Sequence, residues 1–202
     1  MAKESVLYSV EFTDTLSPEA VEREVGELFG DLPAPEAVNP VDCYLVRFES
    51  SYSNGEPAMI TAQLFLPRVP LDELRMAYVF APGTTGILDA CRPSREHIAG
   101  IRWGLYRAHV LAFAGRGVVG LLPDYTGFGD PQRFQPIYNA EVEGRMMLDA
   151  VRALHRFLEV QGKEETDDGI REAEDLSVFV SGFSQGGHAA FAAADLRRRY
   201  AP

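Results

Sequence analysis

The residues best suited to chemistry form a short pattern near the end of the sequence, Gly182-Phe183-Ser184-Gln185-Gly186. The spacing G-x-S-x-G is typical of a sharp strand-to-helix turn that exposes a serine Oγ above a parallel sheet. Glycine is needed at positions 182 and 186 because a side chain there would keep the strand and the helix apart. A serine presented in this way can attack a carbonyl carbon, so Ser184 is the predicted nucleophile.

The residues on either side of the pattern agree with such a turn. Leu176 to Val180 is an apolar run typical of a strand, and the residues after Gly187 are rich in alanine and end in arginines, as helices often do. A helix that starts at the turn points its free N–H groups toward the serine, which favours an oxyanion there. The competing interpretation is a Gly-Ser turn without chemistry.

Acyl transfer at Ser184 would need two N–H donors for the developing oxyanion. The residue after the nucleophile, Gln185, supplies one of them. Thr84 is the predicted second donor, because it lies in a Pro-Gly-Thr-Thr-Gly loop after a predicted strand, where Gly83 and Gly86 let the backbone turn inward. The competing interpretation of this loop is a tight surface turn.

The elements that must position these residues alternate along the chain. Ser17 to Phe29 is a predicted helix with a serine N-cap and a proline at its first position. The pattern then predicts a hairpin (42–48 and 59–66), strand 75–81, helix 94–115, strand 118–122, helix 139–161, strand 176–180 and a last helix. This order predicts an α/β fold with a mainly parallel sheet and an antiparallel N-terminal hairpin. Residues 1–39 are predicted to be a helical extension and residues 40–202 the main domain.

In the helix predicted over 139–161, spacing assigns residues to two faces. Apolar side chains recur at steps of four, three and four and should face the core: Met147, Val151, Leu154 and Leu158. The charged residues, including Glu143 and Asp149, are expected on the opposite face.

Composition narrows the class of protein. The 202 residues are 46% hydrophobic and 24% charged, which is typical of a globular domain with a sizeable core. A net charge of −11 argues against a nucleic-acid partner. No apolar run is long enough for a membrane span and the start does not resemble a secretory signal, so a cytoplasmic location is the default; secretion or a periplasmic location stays open if a signal was removed.

Two cysteines, Cys43 and Cys91, have no metal-ligand spacing. We expect buried thiols, with a disulfide left open for an exported protein. No metal site is predicted.

Four segments in order resemble the secretory lipase family of α/β-hydrolases: Gly83-Thr84-Thr85-Gly86, the PDYTGFG segment 123–129, the DAVRA segment 149–153 and the GFSQGG segment 182–187. The resemblance covers roughly residues 40 to 200, and Pro82 stands where the family usually has a histidine. It implies an α/β-hydrolase fold and carboxylic ester hydrolysis through an acyl-enzyme at Ser184. It also implies acyl glycerols or smaller acyl esters as substrates and no cofactor.

In α/β-hydrolases the triad acid and base follow the serine in the chain. Here His188 and Asp195 are the candidates after Ser184, and both fall in the helix that leads away from it. The earlier histidines, His97, His109 and His155, are expected to pack on flanking helices, and Asp124 is expected to be a structural hydrogen-bond acceptor. We therefore expect an N-terminal part of a longer hydrolase, with a fold incomplete at its C-terminus and almost no activity by itself.

Two other functions stay open. A serine peptidase of the prolyl-oligopeptidase type shares the same turn around its nucleophile. A non-catalytic binding module of α/β-hydrolase type could keep the turn and lack the triad.

Overall fold

The computed structural model describes residues 7–97, 104–165 and 176–200. Its strands are β1 (Leu7–Leu16), β2 (Val41–Ser51), β3 (Pro57–Pro67), β4 (Met76–Ala81), β5 (Val119–Pro123) and β6 (Ser177–Gly182). Its α-helices are α1 (Pro18–Phe29), α2 (Tyr106–Ala114), α3 (Ala140–Glu165) and α4 (Gln185–Tyr200). Short 3₁₀ turns lie at Leu71–Glu73, Asp89–Cys91 and Pro93–Arg95.

The six strands form one mixed sheet in the order β1-β2-β3-β5-β4-β6. β4 pairs in parallel with both β5 and β6, whereas β1–β2, β2–β3 and β3–β5 are antiparallel. The prediction of a mainly parallel sheet is therefore wrong for the described residues. The reason is that the β2–β3 hairpin joins β5 directly and β1 extends it. The carboxyl ends of the three parallel strands still share one edge of the sheet.

The N-terminal segment contains a strand that the sequence reading missed. β1 pairs with β2 along most of its length, and Tyr8, Val10 and Phe12 stay exposed, so the usual burial pattern of a strand is absent. Val21 and Val25 of α1 are buried against residues of α2. Residues 1–39 are thus not purely helical, while the domain boundary at residue 39 stays a prediction.

The region before α2 also differs from the prediction of one helix over 94–115. Residues 93–95 form a 3₁₀ turn, Leu105 has a left-handed φ of 55°, and α2 begins only at Tyr106. Residues 98–103 lie outside the described part. Tertiary contacts explain the change, because the Glu96 carboxylate accepts a hydrogen bond from Arg107 N (2.8 Å) and so caps the start of α2.

The core has a layer on each face of the sheet, one against α3 and α4 and the other against α1 and α2. The predicted apolar face of α3 is confirmed, because Met147 and Leu154 are buried in the core. Val151 and Leu158 are partly buried and pack against it. Glu143 and Asp149 are also buried, contrary to the expectation that they face solvent. Their burial matters for the site.

Both cysteines are free thiols in the interior. Burial raises the pKa of the Cys43 thiol to about 11. Among the described residues, no helix is long and apolar enough to cross a bilayer.

Candidate active site

The turn between β6 and α4 has the geometry that the glycine spacing predicts. Ser184 lies in this turn with a left-handed φ of 52°, and it is exposed to solvent. A Cβ on Gly186 would lie 1.8 Å from the carbonyl oxygen of Ala81, and one on Gly182 would lie 2.3 Å from the backbone of Gly186. The end of β4 therefore passes so close to the turn that only glycine fits at these two positions.

The loop after β4 lies beside this turn. Thr84 Oγ1 donates a hydrogen bond to Gln185 Oε1 (3.1 Å), so the structure brings the two predicted donor residues together. A Cβ on Gly83 would lie 2.5 Å from Tyr106 Oη, and Gly86 has a φ of 126°, which requires glycine. Both glycines thus let the loop pack tightly.

The backbone N–H groups of Thr84 and Gln185 have no hydrogen-bond acceptor within the described residues. Two unpaired donors from neighbouring residues beside an exposed serine are what an oxyanion would need. Their role as donors stays a prediction.

A buried polar cluster lies under the turn, and the sequence reading missed its central residue. Glu143 of α3 is 3% exposed; it accepts hydrogen bonds from Gln185 Nε2 (2.7 Å) and Tyr138 N (3.0 Å). Its other oxygen lies 2.5 Å from His188 Nδ1. The one sequence signal for Glu143 is its place in the first turn of a helix, where a carboxylate is favoured. That signal does not indicate burial.

The PDYTGFG segment at the end of β5 contacts the loop that follows β4. Tyr125 is buried and its hydroxyl donates to the carbonyl oxygen of Pro82. Burial raises the pKa of Tyr125, and the charge of Glu143 raises it further. Asp124 accepts hydrogen bonds from Ser94 N and Ser94 Oγ, both at 2.7 Å, in agreement with a structural role.

Within the described residues, no histidine side chain hydrogen-bonds to the Ser184 hydroxyl; His188 contacts Ser184 only through its backbone, where His188 N donates to the Ser184 carbonyl oxygen (3.3 Å). His109 Nε2 lies 2.9 Å from Tyr78 Oη, on the α2 side of the sheet, and burial lowers its pKa. His97 is near Glu24, and His155 is half-buried with a pKa that burial lowers. His188 contacts Glu143. None of these four histidine side chains is therefore placed to act as a general base for Ser184.

The loops that follow β4 and β5, and the turn after β6, carry exposed apolar side chains. Phe183, beside the serine, is 63% exposed and approaches Gly83. The others are Ile87, Leu88, Phe134, Ile137 and Tyr138. These residues give this edge of the sheet an apolar rim, which suits an apolar ligand better than a charged one.

Solved structures with a similar fold include an esterase and a lipase. The rice cell wall degrading esterase LipA from Xanthomonas oryzae matches with a TM-score of 0.70 and 22% identity, over 96% of this chain and 46% of that one. Lipase A from Candida antarctica, in its closed state, matches with a TM-score of 0.62 and 16% identity, over 97% of this chain and 39% of that one. The chain therefore spans less than half the length of either enzyme.

The family itself is shown by sequence. Residues 95–202, just over half of the chain, match the model of the secretory lipase family. The chain belongs to this family, which confirms the resemblance drawn from the four motifs. No curated protein sequence matches it significantly.

Proposed function

We propose that this chain carries the nucleophile and the oxyanion site of a serine carboxylic ester hydrolase. In the proposed reaction Ser184 Oγ attacks the ester carbonyl, the alcohol leaves, and water later releases the acid from the acyl-enzyme. The N–H groups of Gln185 and Thr84 receive the oxyanion. The observation that carries the proposal is the exposed Ser184 at a left-handed φ, beside two unpaired N–H donors.

The proposed substrates are acyl glycerols or smaller acyl esters. Support comes from the family membership and from the apolar rim at the carboxyl edge of the sheet. A substrate of this kind has an apolar acyl chain to place against the rim and one polar carbonyl to place at the serine.

The general base is proposed to come from a segment outside the described residues. All four histidines of the sequence are described, and none of their side chains hydrogen-bonds to the Ser184 hydroxyl within the described residues. A serine hydroxyl without a base is a weak nucleophile near neutral pH. We therefore expect residues 1–202 alone to hydrolyse esters very slowly.

A test can supply the base from solution. The 202-residue chain is incubated with a fluorophosphonate probe, with and without imidazole, and the adduct is mapped by mass spectrometry. Imidazole is expected to increase labelling of Ser184 in the chain, with no adduct at this position in Ser184→Ala. Ser181→Ala is the matched control, because Ser181 is a neighbouring serine on β6 whose hydroxyl contacts Tyr78.

Each alternative has its own outcome. Folded protein that stays unlabelled at Ser184 with imidazole present would refute the proposal and favour a binding module. Cleavage of peptides without cleavage of p-nitrophenyl esters would favour a peptidase.

A further inference from the structure

The buried carboxylate of Glu143 connects the two sides of the candidate oxyanion site. Donors converge on it from the loop before α3, through Tyr138 N, and from α4, through Gln185 Nε2 and His188 Nδ1. A buried carboxylate is tolerated only where its oxygens have such partners. The side chain is therefore held in one position.

Gln185 extends this connection to the loop after β4. Its Nε2 must face Glu143, because a carboxylate accepts hydrogen bonds and repels a carbonyl oxygen. The carboxamide is planar, so its Oε1 then faces the other way and accepts the bond from Thr84 Oγ1. A continuous path of hydrogen bonds thus runs from Glu143 through the side chain of Gln185 to Thr84.

The path ends on Thr84, the exposed residue between buried neighbours in the loop after β4. Thr84 is exposed on a loop, whereas Gln185 is fixed at the start of a helix and is fully buried. Loops move more than the elements that they connect. An oxyanion donor must stand about 2.7–3.1 Å from the oxygen, and an error of about 1 Å can lower the rate about 100-fold.

We propose that Glu143 is a positioning residue that sets the Thr84 N–H relative to the Gln185 N–H. It acts through the Gln185 side chain, and His188 and Tyr138 N keep its carboxylate from turning. The inference rests on the proposed function, in which these two N–H groups bind the oxyanion.

Four variants separate this role from simple packing. Glu143→Leu removes the acceptors at similar volume, whereas Glu143→Gln keeps an oxygen for Gln185. Thr84→Val deletes only the last bond of the path, at an exposed site where little fold stability is at stake. Glu141→Leu is the matched control, since Glu141 lies on the same helix but pairs with Arg145 at the surface.

The first readout is the NMR order parameter of the Thr84 N–H, which needs no activity. A rigid backbone gives about 0.85, and we expect a fall below about 0.6 in Glu143→Leu and in Thr84→Val. A fifth variant, which combines Glu143→Leu with Thr84→Val, should fall no further than Glu143→Leu alone, because both changes break one path. Glu143→Gln and Glu141→Leu should stay near the wild-type value. An unchanged Thr84 in the two disruptive variants would overturn the inference.

The second readout is the rate of Ser184 labelling with imidazole present. Glu143→Leu should lower this rate about tenfold or more, and Glu143→Gln should recover most of it. Equal labelling in all variants would overturn the positioning role while leaving the proposed function intact. Absence of labelling in the wild type would refute the function, and the order parameters would still decide the coupling. If Glu143→Leu does not fold, Thr84→Val and Glu143→Gln decide both readouts.

Discussion

Gly186→Ala is expected to disrupt the turn that presents Ser184. The added Cβ would lie 1.8 Å from the carbonyl oxygen of Ala81, against an ordinary contact of at least 3.4 Å, so the two must separate by about 1.6 Å. Ala81 also pairs with Gly182 in the sheet and accepts a hydrogen bond from Phe183 N (3.2 Å). Separation would weaken both contacts. We expect the free energy of unfolding to fall by about 3 kcal/mol, near the upper end for overpacking.

Gly187→Ala is the matched control, one residue further along α4. There the nearest atom to the added Cβ is 3.6 Å away, an ordinary contact, and alanine should stabilise the helix by up to about 1 kcal/mol. Urea unfolding followed by circular dichroism measures both variants, and the Tm of Gly186→Ala should fall by about 6–12 °C. Equal stability of the two variants would refute the close approach of β4 to the turn, and with it the reasoning for the exposed serine.

Three further predictions concern buried polar groups. Burial raises the pKa of Asp124 from 3.8 to about 7, so folded protein keeps a proton that unfolded protein releases. Stability should therefore fall by about 3 kcal/mol between pH 4 and pH 7, a trend that Asp124→Asn removes in urea titrations, whereas parallel pH profiles of the two proteins would contradict it. Arg107→Met breaks the ion pair with Glu24 (2.7 Å) and should cost about 3 kcal/mol in the same assay; a cost below about 1 kcal/mol would show that the pair does not matter. Cys43 and Cys91 should not react with a thiol reagent at pH 8 until the protein unfolds, and fast reaction of the native protein would argue against their burial.

Features that depend on neighbouring residues were predictable from the sequence. The turn at Ser184 needs a strand, two glycines and a helix within a few residues, and the sequence has the signals for all of them in order. The apolar face of α3 and the β2–β3 hairpin were predicted for the same reason, because periodicity and turn residues are local signals. The roles of Ser184, Gln185 and Thr84 in catalysis stay predictions of this kind.

Features that depend on distant residues required the tertiary structure. The sequence pattern of α3 predicts that Glu143 faces solvent. In the structure, hydrogen-bond donors from α4 and from the loop before α3 surround its carboxylate. In β1, Tyr8, Val10 and Phe12 alternate with polar residues, which is a local strand signal that the prediction passed over; only the structure shows that the strand pairs with β2 and that these three side chains stay exposed. The start of α2 at Tyr106 likewise depends on a contact that periodicity does not report, the hydrogen bond from Arg107 N to the Glu96 carboxylate, which lies outside the helix. Local patterns report propensity and periodicity, whereas burial and hydrogen-bond partners are set by which segments the folded chain brings together.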